Sequence, residues 1–369
     1  MEKTQGAVGC GHCQKLGARE TCPVCGRPVC ATCLEQEGCP ETPAEPAYRE
    51  LRLGVGARLR HVDSHGRYGL VTTWTGRCKL LDLSTGETVA RRLPVSFRGP
   101  EPPPRLVAGK RLAFISNATL GPGLLDGLQL MGLDGRADWA IPISFREDFK
   151  AMEVSEDGTL VALVRTDETV EVFDVPGRAH VGTYQVRGRV VHAAAVCAGN
   201  RLVAIGTYGR VSLFDLDDHR TLGTCSLKDD GDIRWVGLGR RRLAAITENA
   251  RCVVVDIDRE RPASRWRRHP RSIKLLTSVT VGFVPWLTDD ALNVGAMDAA
   301  GELLALPVQQ LVMVYRLSTG RAYPLFGHTD DISLLRFVDD ARTLVSADDD
   351  ARARLWPLVD GAPVSQIPA

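Results

Sequence analysis

Seven of the chain's eleven cysteines fall between Cys10 and Cys39, and six of them come as pairs: Cys10 and Cys13, Cys22 and Cys25, Cys30 and Cys33, with Cys39 following alone. A zinc ion takes four soft or borderline donors in a tetrahedron, and a C-x2-C turn delivers two thiolates to one metal with little chain ordering. The chemistry predicted for this segment is closed, structural zinc coordination. All thiolates are consumed on the metal, so no coordination position is left open for a substrate. One or two Zn2+ ions are expected, held by Cys10, Cys13, Cys22, Cys25, Cys30, Cys33 and Cys39.

The competing reading is a disulfide framework, which needs an oxidising compartment. The sequence from Met1 to Gly6 shows no apolar run of signal-peptide length, and no stretch is long and apolar enough to predict a membrane span. The expected setting is a reducing cytoplasm. Cys78, Cys197, Cys225 and Cys252 stand singly in apolar, strand-like contexts and are expected to be buried free thiols.

The elements around this segment are read from composition and repetition. Hydrophobic residues make up 44% of the 369, as in an ordinary globular chain, and the net charge of +1 gives no global field for nucleic acid or membrane. Only seven of the 46 basic residues are Lys, a bias that points to a GC-rich, bacterial source. The one basic run, Arg265, Arg267, Arg268, His269 and Arg271 around Trp266, is flanked by acidic residues and reads as a solvated loop, not a phosphate contact. Three prolines between Pro40 and Ala47 predict a stiff linker. The expected organisation is a module over 1–40, a linker over 41–51 and a second domain over 52–369.

The second domain carries an internal repeat. An apolar–variable–apolar triplet ahead of a turn recurs with its variable position at Asp82, Gly132, Asp174, Asp215, Asp256, Arg316 and Pro357. The separations are 50, 42, 41, 41, 60 and 41 residues. A period of about 40–45 residues with four short strands per unit is the signature of a β-propeller. Seven anchors predict seven blades, the first opening near 52–62, with insertions in blades two and six. The apolar runs Leu160–Val164, Leu202–Ile205 and Leu243–Ile246 read as buried inner strands, and the Thr169–Asp174 alternation as a half-buried one. The segment spanning Phe283 and Trp286, within the longest gap, carries large apolar groups of the kind that mark an interface or pack back onto the ring.

The last unit carries a family resemblance. Gly327-His328, Ser346-Ala347-Asp348 and Leu355-Trp356 resemble a degenerate WD40-type blade, with Pro357 in place of the usual Asp. The resemblance implies an all-β fold, a seven-bladed propeller, with His328 and Asp349 or Asp350 in the hydrogen-bond network that fixes the blade. The Asp339-Asp340 and Asp348-Asp349-Asp350 runs are expected to be hairpin turns and not calcium ligands. The N-terminal spacings resemble the B-box zinc finger, a cross-braced two-metal module. That implies Cys10, Cys13, Cys30 and Cys33 on one zinc and Cys22, Cys25 and Cys39 on the other. His12, Glu35, Glu37 and Glu41 are the nearby candidates for the eighth ligand. The C-x2-C that would close a RING finger is absent after Cys33, which argues against ubiquitin-ligase activity.

No Gly-rich phosphate loop, H-E-x-x-H or G-x-S-x-G pattern occurs, and the eight histidines are scattered. His192, within an apolar run, reads as a satisfied strand residue. The inner strands, read as apolar, offer no convergent polar set for catalysis. The functional expectation is a non-catalytic scaffold that binds protein partners through propeller loops and the zinc module, without nucleic acid or membrane. The rival is an enzyme component using the module as a ligase or the propeller channel as an active site.

Overall fold

The computed structural model describes residues 20–21, 28–29, 48–73, 75–90, 93, 102–116, 127–133, 136–142, 149–186, 190–226, 231–248, 252–257, 294–308, 310–359 and 361–363. Every regular element among them is a β-strand. From Ala57 onward the strands form seven antiparallel sheets in chain order, the blades of a propeller. Blades one to four and blade six have four strands each, and blade five has three described strands. The anchors Asp82, Gly132, Asp174, Asp215, Asp256 and Arg316 each end a third strand, while Pro357 lies inside Arg352–Val359, the third strand of blade seven.

The core consists of seven seams, one at each junction of neighbouring blades. Second-strand residues explain why. In Leu202–Thr207, Leu202 and Ala204 pack into the seam with blade five, whereas Val203 and Ile205 pack into the seam with blade three. Alternate side chains leave opposite faces of a strand, and here both faces are covered. The sequence is therefore apolar without interruption, as a doubly buried strand requires. The seam between blades seven and one, with Val345 and Ala347 against Leu59 and Val71, makes the ring continuous.

Two sequence expectations change. Leu160–Arg165, Leu202–Thr207 and Arg242–Thr247 are second strands, not the innermost ones; the innermost are Phe149–Val154, Ala193–Cys197 and Ile233–Leu238. Blade six runs from Ala296 to Leu325 without an insertion inside it, so the excess of the longest gap lies upstream, within 258–293. The first strand of blade six is Ala296–Met297.

The ring closes with its two ends in one sheet. Arg49–Arg52 runs antiparallel to Arg352–Val359 and forms the fourth strand of blade seven, with Ala353 opposite Leu51 and Arg354 opposite Glu50. The ring thus takes in three residues, Arg49 to Leu51, of the stretch expected as linker. A tight backbone approach locks blade three onto blade two: Gly158, with φ +78°, accepts a hydrogen bond from the Ala108 amide at 2.9 Å. A Cβ there would lie 2.8 Å from that nitrogen, so only glycine fits.

Candidate functional site

Blade seven holds a buried polar relay. His328 Nδ1 is 2.8 Å from Asp348 Oδ2, and His328 Nε2 is 2.6 Å from Ser346 Oγ, which accepts from Trp356 Nε1 at 2.8 Å. Every donor meets an acceptor when Nδ1 carries the imidazole proton and the Ser346 hydroxyl donates to Nε2. The expectation of Asp349 or Asp350 in this network is corrected. The partner is Asp348, the last residue of Thr343–Asp348, whose side chain turns inward while Asp349 pairs with Arg58 at 3.0 Å and Asp350 accepts from Thr329. Asp339 and Asp340 lie in the turn between the first two strands of blade seven, as expected for hairpin residues.

The connectivity Ser346–His328–Asp348 is that of a hydrolase triad. Its environment excludes that use. Ser346 and Asp348 have no exposed surface, His328 is 5% exposed, and Trp356 caps the hydroxyl. A nucleophile needs a face open to substrate, and this one has none. Burial pushes the Asp348 carboxyl up, but hydrogen bonds from His328 and the Arg352 amide, with the charge of Arg354, hold it below the usual carboxylate range.

Arg354, 1% exposed, extends the relay to the closing strand. Its guanidinium donates to Glu50 at 2.8 Å and lies 3.4 Å from Asp348, and it sits over the Tyr48 ring, which packs on Trp356 at 4.7 Å between centroids.

The second site is the central channel, a cavity of about 960 Å³. The residues opposite the third position of each second strand form one layer around it. His61, Arg105, Glu153 and Arg336 supply the arc from blades one, two, three and seven. Ala195, Gly237 and Ala296 supply the arc from blades four, five and six. Four of the seven layer residues are charged or polar and three are small. This corrects the expectation of an apolar channel wall. That expectation took the most hydrophobic strand for the innermost one, but the second strand is enclosed on both faces and both edges, while the first has one edge on the channel.

Arg105 donates to the Met152 and Arg60 carbonyls at 3.0 and 2.9 Å, and Arg60 to Thr72 Oγ1 at 3.0 Å. Arg336 reaches from blade seven to the Ser155 carbonyl at 3.2 Å, and its Nη1 is 3.0 Å from His61 Nε2. Burial, then Arg336 and Arg105, hold the His61 ring well below its ordinary value. Burial and Arg105 lower Arg336 to about 10, against the pull of Glu153, Asp63 and Glu156. Burial raises the Glu153 carboxyl although Arg105 and Arg336 favour its charged form. His192 lies just ahead of the first strand of blade four, 3.4 Å from Asp232. None of these channel residues belongs to a motif legible in sequence.

Cys78, Cys197 and Cys252 are buried and Cys225 is half-buried, and none of the four is in a disulfide. Burial pushes the Cys252 thiol up to about 12, as burial and Glu156 do for Cys197, so neither is a nucleophile. The metal candidates Cys10, Cys13, Cys22, Cys25, Cys30, Cys33 and Cys39, the basic run 265–271, and Phe283 and Trp286 lie outside the described residues. Among the described residues no group of three or more His, Cys, Asp or Glu is placed to hold a metal, and no helix is long and apolar enough to cross a membrane.

Seven radial antiparallel sheets closed by a shared terminal blade, with a His–Ser–Trp–Asp relay in that blade, define a WD40-like β-propeller. Among solved structures, the chain is similar to the crystal structure of the Cps50 (Swd1) β-propeller domain from Myceliophteria thermophila, with a TM-score of 0.59 and 14% identity over 85% of this chain and 100% of that one. At that identity the likeness concerns the fold alone. No protein-family profile matches the chain, and no curated protein matches it.

Proposed function

We propose that this protein is a non-catalytic scaffold that binds protein partners through the loop faces of its propeller and through an N-terminal zinc module. The carrying observation is the closed ring. A rigid frame of seven seams presents irregular loops on two faces, and the triad-like arrangement among the described residues is sealed from solvent. The closing strand Arg49–Arg52 is continuous in sequence with the cysteine-rich segment, so a second binding surface is tied to the frame by a short tether.

The donor chemistry of that segment fits zinc. Cys10, Cys13, Cys30 and Cys33 make one complete four-thiolate set, and Cys22, Cys25 and Cys39 need one further donor from His12, Glu35, Glu37 or Glu41. The antiparallel pairing of Glu20 with Val29 and of Thr21 with Pro28 supports this reading, since Cys22 and Cys30 directly follow those two strands in sequence. The test is affinity capture with the full chain from its native cells, followed by mass spectrometry and by an in vitro ubiquitin-transfer assay. Stoichiometric protein partners and no transfer are expected. Transfer activity that depends on Cys10 or Cys30 would establish the ligase reading instead.

A further inference from the structure

We infer that the central channel binds an organic monocarboxylate, its anionic head in the arc of Arg105, Arg336 and His61 and its apolar body against Trp235 and the small residues opposite. This goes beyond the scaffold reading and does not rest on it.

The first observation is uncompensated charge. Arg60, Arg105 and Arg336 all line the cavity, and their hydrogen bonds go to backbone carbonyls, a hydroxyl and an imidazole. Among the described residues none of the three has a carboxylate within ion-pair distance. Three half-buried cations in one wall, answered only at longer range by Glu153, Asp63, Glu156 and, at Arg60, Asp349, are costly to the fold unless a ligand completes them.

The second is a donor conflict. The Leu106 amide donates to His61 Nδ1 at 3.1 Å, and Arg336 Nη1 approaches Nε2 at 3.0 Å. A neutral imidazole has one acceptor nitrogen. With Nδ1 accepting, Nε2 carries the proton, and two donors face each other. Arg336 Nε is also buried without a hydrogen-bond partner. A carboxylate offers two acceptor oxygens in the spacing of a guanidinium edge, so one oxygen takes the Arg336 donors and bridges to His61 Nε2–H.

The third is the shape of the opposite wall. Ala195, Gly237 and Ala296 leave the cavity open across from the cations. The Trp235 ring lies over Gly237 and Gly295, where a side-chain carbon would collide with it. Within a wall that also carries His192, Arg234, Arg240 and Asp298, Trp235 and the small residues give a flat apolar patch across from the cations, which suits a ligand with an anionic end and an apolar or planar body. The neighbouring carboxyl of Glu153 favours a single negative charge over the double charge of a phosphate.

The experiment is isothermal titration of the full chain with benzoate, with benzamide as its neutral counterpart and inorganic phosphate as a bodiless anion. Saturable benzoate binding is expected, with benzamide and phosphate at least tenfold weaker. Arg336→Lys keeps the charge but loses the fork and should weaken benzoate about tenfold. Glu153→Gln removes the opposing charge and should tighten it several-fold, a gain that damage to the fold does not produce. No saturable benzoate binding, equal binding of benzamide or phosphate, unchanged affinity in Arg336→Lys, or weaker affinity in Glu153→Gln would each overturn the assignment.

Discussion

The Arg354 guanidinium donates to the Glu50 carboxylate at 2.8 Å, joining residues 304 positions apart. Glu50 belongs to the first strand of the ring and Arg354 to the third strand of the last blade, so this pair sits on the seam that turns a row of sheets into a closed propeller. The same guanidinium lies 3.4 Å from Asp348, which ties the closure to the relay through His328 and Ser346.

Glu50→Gln should loosen that closure. Removing one partner leaves Arg354, 1% exposed, short of compensation. Losing a partner of a fully buried pair costs about 3–5 kcal/mol, and Glu50 is partly exposed, so a loss of roughly 1–3 kcal/mol is expected. Denaturant unfolding checks it, and an unchanged midpoint would show that the backbone ladder alone closes the ring.

Ser346→Ala should destabilise blade seven by about 1–3 kcal/mol, because it leaves Trp356 Nε1 and His328 Nε2 buried without partners. Ser346→Thr, which keeps the hydroxyl, should recover part of the loss if the added methyl is accommodated. Thermal unfolding of the two variants side by side reads the difference.

Acid should weaken the fold in two stages. The folded-state pKa of His61 lies well below its ordinary 6.5, so below that pH the unfolded chain takes up a proton that the folded ring refuses. Stability is full above pH 6.5 and falls as pH drops beneath it. The Asp348 carboxyl is also held low, so its contribution is present above its ordinary 3.8 and is lost as pH falls below that. His61→Gln should flatten the upper stage and leave the lower. Chemical denaturation from pH 8 to pH 3 measures both.

The proposed zinc module predicts one to two zinc ions per chain by elemental analysis. Cys30→Ser with Cys33→Ser should remove about one equivalent, since two thiolates alone hold zinc poorly. Residues 1–40 offer few large apolar side chains, so the proposed metal would supply most of their folding energy. A chelator should unfold that segment and leave the propeller transition unmoved. Metal-free protein with oxidised cysteines would reject the module.

The sequence by itself determined the repeating unit. Strand alternation and turn chemistry are local, so a triplet recurring at intervals of 41 to 60 residues, most often 41, marked a third strand in all seven blades, from Asp82 to Pro357. It also separated the relay residues His328, Ser346 and Trp356 from the background, though it assigned the acid to Asp349 or Asp350. A one-residue choice within three aspartates is settled by which side chain the strand turns inward.

Tertiary structure alone decided three things. It made Arg49–Arg52 the last strand of blade seven, because pairing across 300 positions leaves no local trace. It placed the second strands between two neighbours, so the most apolar runs lie away from the axis. It gathered Arg105, Glu153, His61 and Arg336 into one layer of the channel. Each is an ordinary polar residue at the edge of a short strand. Only a ring that brings seven such strands around one axis gives them a common environment, and with it the shifted protonation of Glu153, His61 and Arg336.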